Sequence, residues 1–168
     1  MNEDIYAEWL VQKKPSKLVP LIYIAGALFT AISIYLMITT AWGFIAFIIC
    51  AFVVFIGRRY LSVEYEYVFV TSSLTIDRIF SQAVRKTAVE IEMESVETVE
   101  KSSGNKEQLL QGTGVTYEDF TTHYDEDEVW MIVYTNEKKG RCLLEFCPNE
   151  KVLKAMWRCS PMKVHLNQ

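Results

Sequence analysis

Residues 61–80 read LSVEYEYVFVTSSLTIDRIF, two alternating runs separated by a short polar break. In the first run Leu61, Val63, Tyr65, Tyr67 and Phe69 alternate with Ser62, Glu64 and Glu66, the period-two pattern of a strand with one buried face. In the second, Leu74, Ile76 and Phe80 fall on one side. Thr71, Ser72 and Ser73 supply turn chemistry between them, so the stretch predicts an antiparallel hairpin.

Downstream, residues 85–93 predict a third strand, with Thr87, Val89, Ile91 and Met93 on one face and Lys86, Glu90 and Glu92 on the other. Val96 and Val99, three apart between glutamates, predict a helical turn or a sharp bend rather than more strand. Residues 101–114, KSSGNKEQLLQGTG, read as a loop and lack the Gly-Lys-Ser/Thr ending of a phosphate-binding loop. A strand of mixed pattern follows over 115–124, then the acidic run Asp125, Glu126, Asp127 and Glu128. Residues 129–135, VWMIVYT, are apolar on both faces and predict a strand in which Trp130, Met131, Ile132 and Tyr134 are buried. After a turn over 136–140, residues 141–146 return with Leu143 and Leu144 facing opposite ways. Pro148 and Asn149 then open a helix from Glu150 to about Cys159, with Val152, Leu153, Met156 and Trp157 as its apolar stripe and Pro161 as its stop. That helix should cap the sheet.

Upstream, residues 18–57 form a 40-residue stretch without one charged side chain. About 20 residues of helix suffice to cross a bilayer, so the stretch predicts two crossings, at about 18–38 and 41–57, with the break at Thr39 to Gly43 and Trp42 at headgroup level. Lys13, Lys14 and Lys17 precede the stretch and Arg58 and Arg59 follow it, which predicts a multi-pass cell-membrane protein with both termini cytoplasmic. A secretory signal peptide does not fit, because Glu3, Asp4 and Glu8 precede an apolar run that is too long. Gly26 and Thr30, Ala27 and Ala31, and Ala46 and Cys50 are small residues four apart, suited to packing the two helices together or to homo-oligomer contacts. No ionisable side chain lies in the stretch, so a transported ion has no foothold there. Residues 1–17 predict a short amphipathic cytoplasmic helix: Asn2 suits its N-cap, and Ile5, Tyr6, Trp9 and Leu10 share a face that lies in the membrane interface or docks on the soluble domain.

Several antiparallel strands closed by one C-terminal helix, over residues 60–168, give the element order of a pleckstrin-homology-like (PH-like) barrel. The run YEYVFVTSSLTIDRIFSQAVRKTAVEIEMESVETVE resembles the opening strands of bacterial membrane-tethered PH-like domains, with Glu90 near the place of a proline in their third strand. With the opening MNEDIYAEWLVQKK and the charge-free stretch, nearly the whole chain resembles a family of small clostridial membrane proteins of two helices and one such domain. The fold class so implied is α+β: an N-terminal transmembrane helical hairpin followed by a PH-like antiparallel β-barrel with a C-terminal capping helix. The resemblance implies no catalytic residues and no cofactor. Pleckstrin-homology domains hold phosphoinositides through basic residues of their first hairpin loops, and Arg78, Arg85 and Lys86 are the nearest equivalents here.

Charge narrows the functional classes. Of 17 Lys and Arg, five precede residue 60, leaving 12; of 21 Asp and Glu, Glu3, Asp4 and Glu8 precede it, leaving 18, so the domain carries a formal −6. It has no basic stripe for nucleic acid and is repelled as a whole by an anionic leaflet. Cys50, Cys142, Cys147 and Cys159 form no Cys-x-x-Cys pair and read as buried apolar residues rather than a metal site. His123 with Asp125 and Asp127 is a candidate for a divalent cation, weighed against a solvated loop. His123 and His165 are the only histidines, and no nucleophile is paired with a base, so the chain is not read as an enzyme. The expectation is a membrane-tethered binding or scaffolding module that presents its domain to a membrane protein or to a second copy. The alternative is a sensor of anionic lipid headgroups or envelope state.

Overall fold

A computed structural model describes residues 5–15, 19–40, 42–61, 63–80, 83–102 and 114–166, and only the helical backbone over 57–61. The elements run β1 (Tyr6–Gln12), α1 (Val19–Thr39), α2 (Gly43–Leu61), β2 (Val63–Val70), β3 (Ser73–Phe80), β4 (Val84–Glu92), β5 (Val96–Lys101), β6 (Thr116–Phe120), β7 (Trp130–Asn136), β8 (Gly140–Phe146) and α3 (Glu150–Cys159). The strands form two sheets, one ordered β1-β2-β3-β4 and the other β5-β7-β8-β6.

The amphipathic helix expected at the N-terminus is instead an edge strand. β1 pairs antiparallel with β2, Tyr6 opposite Val70 and Gln12 opposite Glu64. The physical reason is visible in the alternation: Ala7, Trp9 and Val11 lie opposite Phe69, Tyr67 and Tyr65, so the strand covers the rim of the core. So short an isolated helix is marginal in water, whereas a strand beside a preformed neighbour gains a full ladder of hydrogen bonds. The predicted β2–β3 hairpin is present, with Phe69 opposite Leu74 and Val63 opposite Phe80.

Four further expectations are corrected. Val96 and Val99 belong to strand β5, and both side chains are buried. In β4 the alternation breaks at Ala88: Ile76 pairs with Val89 but Asp77 pairs with Thr87, a bulge that moves Thr87 onto the face of Asp77. β6 is five residues long and runs parallel to β8, so the domain is not purely antiparallel. No strand of one sheet pairs with a strand of the other among the described residues, so the expected closed barrel is an open pair of sheets.

Between the sheets lies the main core. Tyr67, Phe69, Leu74, Ile76 and Ile91 meet Ile132, Tyr134, Leu144 and Phe146, and all are essentially inaccessible to solvent. Tyr67 sits edge-on to Phe146 with ring centroids 5.5 Å apart, and Tyr65 edge-on to Phe120 at 5.7 Å. Tyr67 also donates its hydroxyl to Phe120 O at 2.7 Å and accepts from Cys147 N at 3.4 Å, pinning β2 to the second sheet. Trp130, Met131, Ile132 and Tyr134 are buried as expected. β7 is apolar on both faces because Met131 and Val133 form a second cluster with Leu143, packed by Val115.

Helix α3 starts where the sequence placed it. The side-chain oxygen of Asn149 accepts from Val152 N at 2.9 Å. Its buried face is Val152, Leu153, Ala155 and Met156; Trp157, assigned to that face from the sequence, is 43% exposed.

α1 and α2 pack against each other through small residues. Gly26 lies where a Cβ would touch Val54 at 3.4 Å, and the Thr30 hydroxyl, which donates to Gly26 O at 2.7 Å, lies 3.9 Å from Cys50 Sγ. Their connection is tight, since a Cβ on Gly43 would lie 2.0 Å from Leu36 O. Only glycine fits there. α1 is long and apolar enough to cross a membrane, while the apolar part of α2, Gly43–Ile56, is shorter.

Candidate functional site

The sequence grouped Arg78, Arg85 and Lys86, and the sheet distributes them over its two faces. Arg85 is on the open face, where its Nε reaches Asp77 Oδ2 and its Nη2 reaches Glu66 Oε2, each at 2.5 Å. Arg78 is one residue out of phase with Asp77 on β3 and stacks its guanidinium 5.0 Å from the centroid of Phe120, on the core side. Lys86 lies directly opposite Arg78 in the register and so shares its face. Two cations therefore stand together at the strand ends nearest α2, and the third is held by carboxylates on the opposite side.

That carboxylate cluster was not foreseen. Glu66 and Asp77 face each other across β2 and β3, and both are buried although their face of the sheet is the open one. Burial first, then the neighbouring Glu8 carboxyl, raises the Glu66 pKa, while the charge of Arg85 opposes the rise. Glu8 is shifted the other way, chiefly by the hydroxyl of Tyr6. The hydrogen bond to Asp77 raises the pKa of Arg85. Removing Arg85 strands two buried carboxylates. Arg85→Met is expected to cost about 2 kcal/mol at pH 7.5, below the range for a fully buried pair because Arg85 is half exposed. A carboxylate whose folded pKa is raised weakens the fold fully above that pKa, and the penalty fades as pH falls through it toward the unfolded value. The Arg85→Met deficit should therefore shrink between pH 7.5 and pH 4, as read by urea unfolding at each pH.

The acidic loop disperses its ligand candidates. His123 Nδ1 lies 3.1 Å from the Thr121 hydroxyl and Nε2 3.4 Å from Asp119 Oδ2; Asp127 accepts from Thr122 at 2.5 Å; and Asp125 pairs with Lys14 at 3.8 Å. Among the described residues no group of three His, Cys, Asp or Glu side chains could hold a metal ion. Cys142 and Cys147 are buried, and Cys50 and Cys159 are partly so. Of the residues flanking the apolar stretch, Lys13 reaches the Tyr65 hydroxyl at 3.3 Å, Lys14 lies 5.6 Å from the centroid of the Tyr124 ring, and Trp42 stands exposed in the turn between the helices. Lys17, the loop over 103–113 and the side chains of Arg58 and Arg59 lie outside the described residues.

Two concave surfaces lie among the described residues. An apolar groove of about 1030 Å³ runs along the helix pair, lined by Gly26, Ala27, Thr30, Ala46 and Cys50 among others. A mixed groove of about 490 Å³ lies between β1 and α3, with Ile5 to Glu8 on one wall and Lys151, Lys154, Ala155 and Arg158 on the other. The second is invisible to a reading that makes residues 1–17 a helix. The signal was the alternation of Ala7, Trp9 and Val11 with Glu8, Leu10 and Gln12.

No curated protein matches the chain. A family model described as a bacterial PH-like domain (DUF6106) matches residues 3–166, so the pattern spans β1, the helix pair and both sheets together, and the chain belongs to that bacterial PH-like family.

Proposed function

We propose that the chain is a two-pass membrane protein that holds its PH-like domain at the cytoplasmic face as a binding or scaffolding module. One observation carries this reading. β1 and β2 lie on either side of the helix pair in the sequence and side by side in one sheet, with Lys13 N bonded to Val63 O at 3.0 Å. A chain that leaves this sheet at Lys13 and rejoins it at Val63 must begin and end its excursion on one side of a bilayer. If α1 crosses, α2 must cross back. The cations at Lys13, Lys14, Lys17, Arg58 and Arg59 favour the cytoplasmic side for both ends. Tethering then confines the domain to a thin layer and raises its effective concentration toward other membrane proteins.

The test is labelling of intact cells with a membrane-impermeant maleimide, using single cysteines at Trp42, Tyr6 and Met162 in a chain whose native cysteines are alanine. Only Trp42→Cys is expected to label before permeabilisation. Labelling of Tyr6→Cys but not Met162→Cys from outside would refute the two-pass topology.

A second reading, recognition of anionic headgroups, is favoured by the adjacency of Arg78 and Lys86 at the strand ends nearest α2. It does not extend to Arg85, whose guanidinium is neutralised by Glu66 and Asp77.

A further inference from the structure

We propose that the groove between β1 and α3 binds an extended acidic segment of a partner protein by adding it to the first sheet as a new edge strand. The proposal rests on the reading of the chain as a binding module and names the chemistry of its partner.

The main chain of β1 supplies the first half of the argument. Thr71 N bonds Ile5 O at 2.8 Å and Lys13 N bonds Val63 O, so residues of odd number turn their backbone groups toward β2. By alternation the N–H and C=O groups of Tyr6, Glu8 and Leu10 point to the free edge. β1 ends its sheet, and no hydrogen bond occupies these groups among the described residues. Such an edge is a template for another strand unless it is blocked. Over Tyr6–Glu8 this edge opens, among the described residues, onto a groove whose other wall is α3, packed beside β1.

Charge supplies the second half. Lys151, Lys154 and Arg158 recur at helical spacing along the wall of α3 that faces this edge. Lys154 is shared with the exposed Glu150, and neither Lys151 nor Arg158 has an ion pair among the described residues. Three cations on the α3 wall outnumber the one carboxylate of the β1 wall, Glu8, and so select an acidic strand. The added backbone would provide affinity, and carboxylates on alternate residues would provide selection. The groove also has access: Tyr6 is at the end of β1 remote from Lys13, about 20 Å along the strand from where the chain leaves the sheet.

The probe is the fluorescein-labelled octapeptide acetyl-TETETETE-amide, titrated by anisotropy against the full chain in nanodiscs of zwitterionic lipid. Saturable binding is expected. It should weaken at least tenfold for acetyl-TKTKTKTK-amide and for the chain carrying Lys151→Ala, Lys154→Ala and Arg158→Ala together. Two further peptides, N-methylated on every threonine or on every glutamate, separate strand addition from simple charge attraction. One of them should lose binding at least tenfold while the other binds like the parent, because only one set of amides faces β1. Amide exchange of Tyr6, Glu8 and Leu10 should slow at least tenfold on saturation. No binding, equal behaviour of the two methylated peptides, or full binding to the triple variant would overturn the proposal, as would an edge occupied by a second copy, seen as a peptide-insensitive dimer. Failure here with Trp42→Cys labelled from outside leaves the tether intact; peptide binding with Trp42→Cys unlabelled would reject the tether alone.

Discussion

Tyr67→Ala is expected to lower the stability of the domain by about 4 kcal/mol, in line with deletion of a large buried aromatic ring. The ring packs edge-on to Phe146 at the centre of the core, and its hydroxyl bonds Phe120 O and Cys147 N in the opposite sheet. Tyr67→Phe keeps the ring and strands those two backbone groups, at a cost of about 1–3 kcal/mol. Against a typical total of about 5–15 kcal/mol, the alanine variant approaches the folding threshold. Urea unfolding followed by tryptophan fluorescence in mild detergent measures both. A phenylalanine variant as stable as the parent would mean that the hydroxyl does not join the sheets.

Trp9→Pro and Glu8→Pro are expected to differ sharply although the residues are neighbours. The N–H of Trp9 is directed at Tyr67 O, so proline there removes a ladder bond and forces β1 off β2, at about 3 kcal/mol. The N–H of Glu8 points to the free edge, where proline is tolerated, so the cost should stay near 1 kcal/mol. In a helix the two substitutions would be comparably damaging. The same unfolding measurement therefore distinguishes the strand from the helix expected by sequence. Glu8→Pro should also weaken the peptide interaction by removing one edge donor.

The strands with one buried face were legible because burial imposes a period of two. Tyr65, Tyr67, Phe69, Leu74 and Ile76 announced β2 and β3, and the capping Asn149 announced α3. β1 was misread because Ile5, Tyr6, Trp9 and Leu10 also fit a helical face, and only the proximity of β2, some fifty residues away in sequence, settles the choice. The bulge at Ala88 and the parallel pairing of β6 with β8 leave little local trace, since both depend on partner strands. The cluster of Glu66, Asp77 and Arg85 was hidden for the same reason. In sequence Arg85 is one of three basic residues of the first hairpins, and only the register sets it diagonal to Asp77 on the open face. Helices α1 and α2 were the most legible elements, because composition alone marks an apolar helix.

The central claim is that one sheet is completed by strands from both sides of the helix pair. Its most direct measurement is disulfide formation in native membranes between Glu8→Cys and Val68→Cys, which face each other across β1 and β2. They occupy a pair without mutual backbone bonds, where Cα atoms are about 4.5 Å apart, within the range a disulfide spans. Mild oxidation, digestion and mass spectrometry should recover the two peptides joined within one chain. The control of Glu8→Cys with Thr75→Cys, one strand further away, should give no link. Absence of the 8–68 link, or its formation only between chains, would contradict the account.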